Sequence, residues 1–245
     1  MSALSKYVPE KIGLAEDKLQ VYLVDLRLFD AGKLVDILPK NEQQRAEKLK
    51  VKDKREQYIN ARVVLRELLS RCLVDTRPED IYFSYGEHGK PGVNHTHMGK
   101  QIEFNLSHSG HYALYAFTLT NKVGVDIEET SSTIDLRSLA FRSFSQQEFA
   151  VLQELDLEEQ FAAFYRCWTR KEAFIKAEGT GVGLGLNKIT VSLDEKIKAA
   201  PVILSSEVKA EGDWYTYQPA TVPGYATAVA VNNNKLHINA HVITN

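Results

Sequence analysis

Cysteine is nearly absent from this chain. Its 245 residues include two, Cys72 and Cys167, far apart and each inside a stretch with helical periodicity. That spacing excludes a disulfide framework or a cysteine-based zinc site and predicts reduced core thiols, as in a cytosolic protein. Long apolar runs are missing too. Nothing approaches the ~20 residues of a membrane-spanning helix, and Met1–Lys6 lacks the apolar run of a signal peptide. Neither sign of charge dominates: 30 Lys and Arg against 32 Asp and Glu give a net charge of −2. Nucleic-acid binding through bulk charge is thereby excluded. What remains suits a soluble globular chain of one or two domains with a sizeable core.

Several familiar signatures are also incomplete. The glycines of Gly179–Gly185 do not spell G-x-G-x-x-G and follow a helix rather than a strand, so they read as a helix stop. Gly89-Lys90 lacks the spacing and the Ser/Thr of a P-loop. Ser107 and His108 are neighbours on an extended chain and point apart, which excludes a nucleophile–base pair. His95-Thr96-His97 sits in a polar loop without a third ligand nearby. Arg45, Lys48, Lys50, Lys52, Lys54, Arg55 and Arg62 alternate with acids, as on a solvated helix face from which a few side chains reach one phosphate.

Two stretches concentrate chemistry. Trp168–Lys176 reads as helix, stacking Trp168, Glu172 and Lys176 at intervals of four on one side. Phe164, Trp168 and Ile175 mark its apolar stripe and put Glu172 at the margin of the core. Val123–Glu128 reads as strand, with Val125 and Ile127 on one face and Gly124, Asp126 and Glu128 on the other. Neighbouring carboxylates repel unless a cation separates them. Asp126, Glu128 and Glu172 form an all-oxygen set of the Mg²⁺ kind, with Gly124 leaving room for a ligand. A plain helical ion pair and a solvated acidic edge strand are the other readings of these residues.

The order of elements is strand, helices, small antiparallel sheet, and it occurs twice. Strand Leu19–Arg27 precedes a long charged helical region from about Gln43 to Leu73, then a strand at Ile81–Tyr85 and a loop over Gly86–Lys100. Strands Ile102–Leu106 and His111–Thr118 flank Ser107–Gly110. Downstream, Asp25 pairs with Asp126, Arg55–Ala61 with Lys171–Ala177, and Tyr112-Ala113 with Tyr225-Ala226, at offsets of similar size. The expected fold is α+β: halves 1–121 and 122–245, related by a pseudo-twofold axis, with a ligand cleft between them.

With these residues on the page, the chain resembles the larger, two-half (Sfp-like) 4′-phosphopantetheinyl transferases. Trp168–Lys176 fits W-x-x-K-E-x-x-x-K, Gly124–Glu128 fits G-[IV]-D-[IV]-E, Phe104–Ser109 fits F-N-x-S-H-S, and Gly89–Pro91 fits G-K-P, all in family order. The resemblance implies a monomer that moves the phosphopantetheine arm of coenzyme A to a serine of an apo acyl or peptidyl carrier protein. It implies Asp126, Glu128 and Glu172 as ligands of Mg²⁺, with Mn²⁺ possible, and Lys171, Lys176 and Lys90 on phosphates. Ser107 and His108 would line the coenzyme pocket, with Arg45 near the 3′-phosphate and Gln43 where many members keep a second base. Lys176 would neutralise the leaving group; Glu172 and Glu148 both stand as general-base candidates. A non-catalytic binding module and a Mg²⁺-dependent phosphohydrolase are the rival functions.

Overall fold

The computed structural model describes residues 4–94, 96–97, 99–179 and 185–244. In chain order the elements that matter here are β1 (Lys18–Asp25), α1 (Lys40–Glu47), α2 (Lys52–Cys72), β2 (Lys100–Ser109), β3 (Tyr112–Leu119) and β4 (Val123–Glu129). They continue with α3 (Gln146–Glu154), α4 (Leu157–Glu178), β5 (Tyr215–Tyr217), β6 (Tyr225–Val231) and β7 (His237–Ile243).

Two sheets organise the chain. One has the order β7-β1-β3-β2 followed by the short strand Thr96–His97; the other runs β4-β6-β5 and ends on Ala199–Pro201. In both, the opening strand lies against the last strand of the repeat, which pairs in turn with the one before it. Alternation decides what each strand faces. Tyr22 and Val24 of β1 pack with Val64, Leu65 and Leu68 of α2, whereas Leu19, Val21 and Leu23 pack with Val125, Ile127 and Val229 of the other sheet. The layers therefore run α2, sheet, sheet, α4, with an apolar core between the sheets. Phe174, Ile175 and Ala177 of α4 complete the outer core against Ala228 and Ala230.

Several expectations change. The charged helical region is two helices, because Glu42 of α1 folds back to meet Arg62 and Arg66 of α2 at 2.5 and 2.9 Å. The break at Lys48–Val51 allows that return. The second half does not keep residues 122–245 to itself: β7 returns to pair in parallel with β1, Leu19 opposite Ile238 and Val24 opposite Ile243. The match of Asp25 with Asp126 is out of step by three residues. Asp25 lies opposite Tyr112, but Tyr225 lies opposite Glu129, and Asp126 faces Ala228. Ser107 to Ser109 belong to strand β2, with the turn moved to Gly110 at φ +51°.

Candidate active site

The site is assembled where β2 of the first half runs beside β4 of the second. Three alternate side chains at the end of β2 reach across. Asn105 Oδ1 accepts from Val125 N at 2.9 Å, Ser107 Oγ donates to Asp126 Oδ1 at 3.0 Å, and Ser109 Oγ donates to Glu128 Oε2 at 3.0 Å. The period of two within Phe104–Ser109 was the signal for Asn105 and Ser109, which sequence reasoning passed over.

Helix α4 closes the site from the other side. Gly124 permits this: a Cβ there would collide with the Ala173 carbonyl oxygen and the Ala177 nitrogen. The space expected for a ligand at Gly124 is filled by the helix instead. Lys176 then reaches down to donate to Asp126 Oδ1 at 2.6 Å and to Ser107 Oγ at 2.9 Å.

Asp126 is buried, and its Oδ2 accepts no hydrogen bond. Desolvation raises its pKa against the pull of Lys176 and Ser107. Glu128 is raised by desolvation and by the charge of Asp126, and Glu172 by desolvation and by both of the other carboxylates. The three acids thus share one field. They do not share a coordination sphere as they stand: among the described residues no three His, Cys, Asp or Glu side chains group around a metal position. The donor set nevertheless fits a hard divalent cation, since it offers carboxylate oxygens, one of them buried without a donor.

Other expected contacts divide. His108 is exposed on the opposite side of β2 from Ser107, and desolvation, Lys54 and Lys176 hold its pKa below the ordinary value. Arg45 is exposed on α1, its guanidinium 5.8 Å from the Tyr58 ring centre. Gln43 donates to the Leu38 carbonyl at 2.7 Å. Lys90 bonds the end of α4, donating to Ala177 O at 2.7 Å.

Lys171 and Glu148 are corrections. Both are buried, 2.5 Å apart, and every remaining bond of the pair is internal: Lys171 donates to the Ser143 and Leu186 carbonyls, while Glu148 accepts from Val191 N and Ser145 N. Glu148 closes the capping box of α3. Neither side chain is more than 1% exposed. His97 bonds the Cys72 carbonyl at 2.8 Å, and His95 lies outside the described residues. Gly179, at φ +74°, ends α4, while 180–184 of the glycine run lie outside the described residues. No described helix is long and apolar enough to cross a membrane.

Residues 122–230, which contain the three acids and Lys176, match the 4′-phosphopantetheinyl transferase superfamily, and residues 30–120 match the family described as 4′-phosphopantetheinyl transferase, N-terminal. The transferase HetI of Nostoc is 32% identical over 199 residues, spanning 79% of this chain and 83% of HetI. The chain belongs to the 4′-phosphopantetheinyl transferase superfamily. The chain is also 36% identical to AcpT of Salmonella typhimurium, over 65% of its own length and 74% of AcpT. To Sfp of Bacillus subtilis it is 37% identical over 55% of its length and 59% of Sfp. The solved holo-[acyl-carrier-protein] synthase (AcpS) of Thermotoga maritima overlays 45% of this chain and 61% of its own at a TM-score of 0.35 and 22% identity, too loosely to bear on the fold.

Proposed function

We propose that this transferase moves the 4′-phosphopantetheine arm of coenzyme A to a serine of an apo acyl or peptidyl carrier protein at the β2–β4 seam, releasing adenosine 3′,5′-bisphosphate. Asp126 carries the reading: a buried carboxylate with one unpartnered oxygen, beside two acids whose pKa values its charge helps to raise. Asp126, Glu128 and Glu172 would hold Mg²⁺, or Mn²⁺, and the bound ion would neutralise pyrophosphate charge. The remaining work falls to the chain's own groups.

Lys176 is the cation paired with Asp126. Turned from Asp126 and Ser107 to the leaving phosphate oxygen, its ammonium would neutralise the developing charge and can supply a proton. A unit charge at ~4 Å and an effective dielectric of ~20 contributes about 4 kcal/mol. With Glu148 committed to Lys171, Glu172 is the acid left to take the serine proton. Resemblance to the family supports His108 and Arg45 as coenzyme contacts from the first half. One chain supplies both sides of the seam, which supports a monomer, and two free buried cysteines support a reducing, cytoplasmic setting.

Intact-mass measurement of apo carrier proteins with this protein, coenzyme A and Mg²⁺ tests the proposal. A phosphopantetheine mass gain is expected, lost in excess chelator and lost with Asp126→Asn. No gain on any of a fatty-acid, a polyketide and a peptidyl carrier would overturn it.

A further inference from the structure

We propose that Lys90 is a positioning residue for the transfer reaction, pinning the helix end that carries Lys176 to the strand that carries Asp126. The proposal rests on the assignment of those two side chains to the site. Lys90 comes from the first half, at the end of the Gly86–Lys90 turn closed by Gly86 N to Lys90 O at 2.9 Å. Its stem lies across Gly179, where a Cβ would stand 3.3 Å from Lys90 Cδ. Its ammonium donates to Ala177 O at 2.7 Å and to Val123 O at 3.3 Å, with the Glu103 carboxylate at 3.9 Å.

Two of the three ammonium protons are thus spent on carbonyls, and the Glu103 carboxylate stands by as a counter-charge. Each carbonyl also says what the contact does. Ala177 follows Lys176 in the last turn of α4, where carbonyls lack helical partners and the dipole favours a cation. Val123 opens β4, three residues before Asp126. Lys90 therefore ties helix to strand from a third segment, and across the boundary between the halves. Its side chain is 19% exposed, so a phosphate would have to displace two carbonyls to reach it. The bonded geometry describes a brace rather than a ligand contact. A shift of ~1 Å at a reacting group can lower a rate by up to about a hundredfold.

Lys90→Met and Lys90→Arg in the full chain test this, through kcat and KM for coenzyme A and through amide hydrogen exchange without ligand. Lys90→Met should lower kcat by about tenfold to a hundredfold. It should leave KM for coenzyme A within about twofold. Exchange should quicken in residues 176–179 and stay unchanged in α2, and Lys90→Arg should recover most of kcat. A raised KM with kcat intact would make Lys90 a phosphate contact and overturn the proposal. Unchanged kinetics, or exchange quickened equally in both halves, would overturn it as well. Exchange needs no carrier or coenzyme, so a wild-type chain that transfers nothing would defeat the assigned function while the brace is still judged on exchange alone.

Discussion

Lys176 Nζ lies 2.6 Å from Asp126 Oδ1, joining α4 to β4, and Ser107 of the first half touches both residues. Among the described residues, Lys176 is the cation paired with this acid, which is buried beside two others. Burying an ion pair is costly unless further bonds satisfy it, and here one carboxylate oxygen is left over. That imbalance is the physical ground for expecting a cation at the seam.

The two lysines of α4 should separate cleanly. Lys176→Met should reduce transfer by at least about a hundredfold, and by leaving the buried Asp126 unpaired it should also cost some stability. Lys171→Met strands the buried Glu148 carboxylate and should cost about 3–5 kcal/mol in urea unfolding. At temperatures where it stays folded, coenzyme A binding by calorimetry should be retained. Loss of binding with stability intact would return Lys171 to the coenzyme.

Gly124→Ala tests the contact between β4 and α4. The added methyl meets helix backbone, which cannot swing aside as a side chain can, so ~1–3 kcal/mol of stability should be lost. Transfer should fall further than the unfolded fraction explains, because Lys176 is lifted from Asp126. Equal stability of the two proteins in denaturant would show that the helix does not rest there.

Ser109→Ala removes the donor that orients Glu128. Groups that hold a metal ligand in place are typically worth tenfold to about a hundredfold in affinity or activity. The Mg²⁺ concentration giving half-maximal transfer should rise accordingly, with the carrier KM unchanged. A titration that overlays the wild-type curve would remove Glu128 from the ion.

Glu42 predicts an acid limb. Desolvation alone would raise its pKa, but hydrogen bonds from Arg66 and Arg62 hold it below the usual value. Such a carboxyl stabilises the fold above its unfolded pKa of about 4.3. That contribution fades as pH falls through the lowered folded value. Glu42→Gln should cost about 3–5 kcal/mol at neutral pH by stranding two buried guanidiniums. The loss relative to wild type should shrink as the buffer is acidified through that range, measured by urea unfolding.

Much of this was legible in the chain itself. The alternation of Val123–Glu129 set Val125 and Ile127 in the core and Asp126 and Glu128 apart from it, because a strand turns every second residue to the same face. The four-residue spacing of Glu172 and Lys176 put both on one side of α4. Local periodicity needs no partner to be read. It does not report which charges will pair, however. Lys171 and Glu148 looked as reactive as Lys176 and Glu172, and only the packing of α3, α4 and Val191 turned them into an internal ion pair.

Sequence alone determined the α+β order and the face of strand or helix that Asp126, Glu128 and Glu172 each take, since both follow from spacing along the chain. The tertiary structure decided the rest: that β7 closes the first sheet, that Ser109 holds Glu128, and that Lys90 spends its protons on Ala177 and Val123. Those contacts join residues far apart in the chain, and the side chains of a buried polar group choose partners only when folding has removed the water that competes for them.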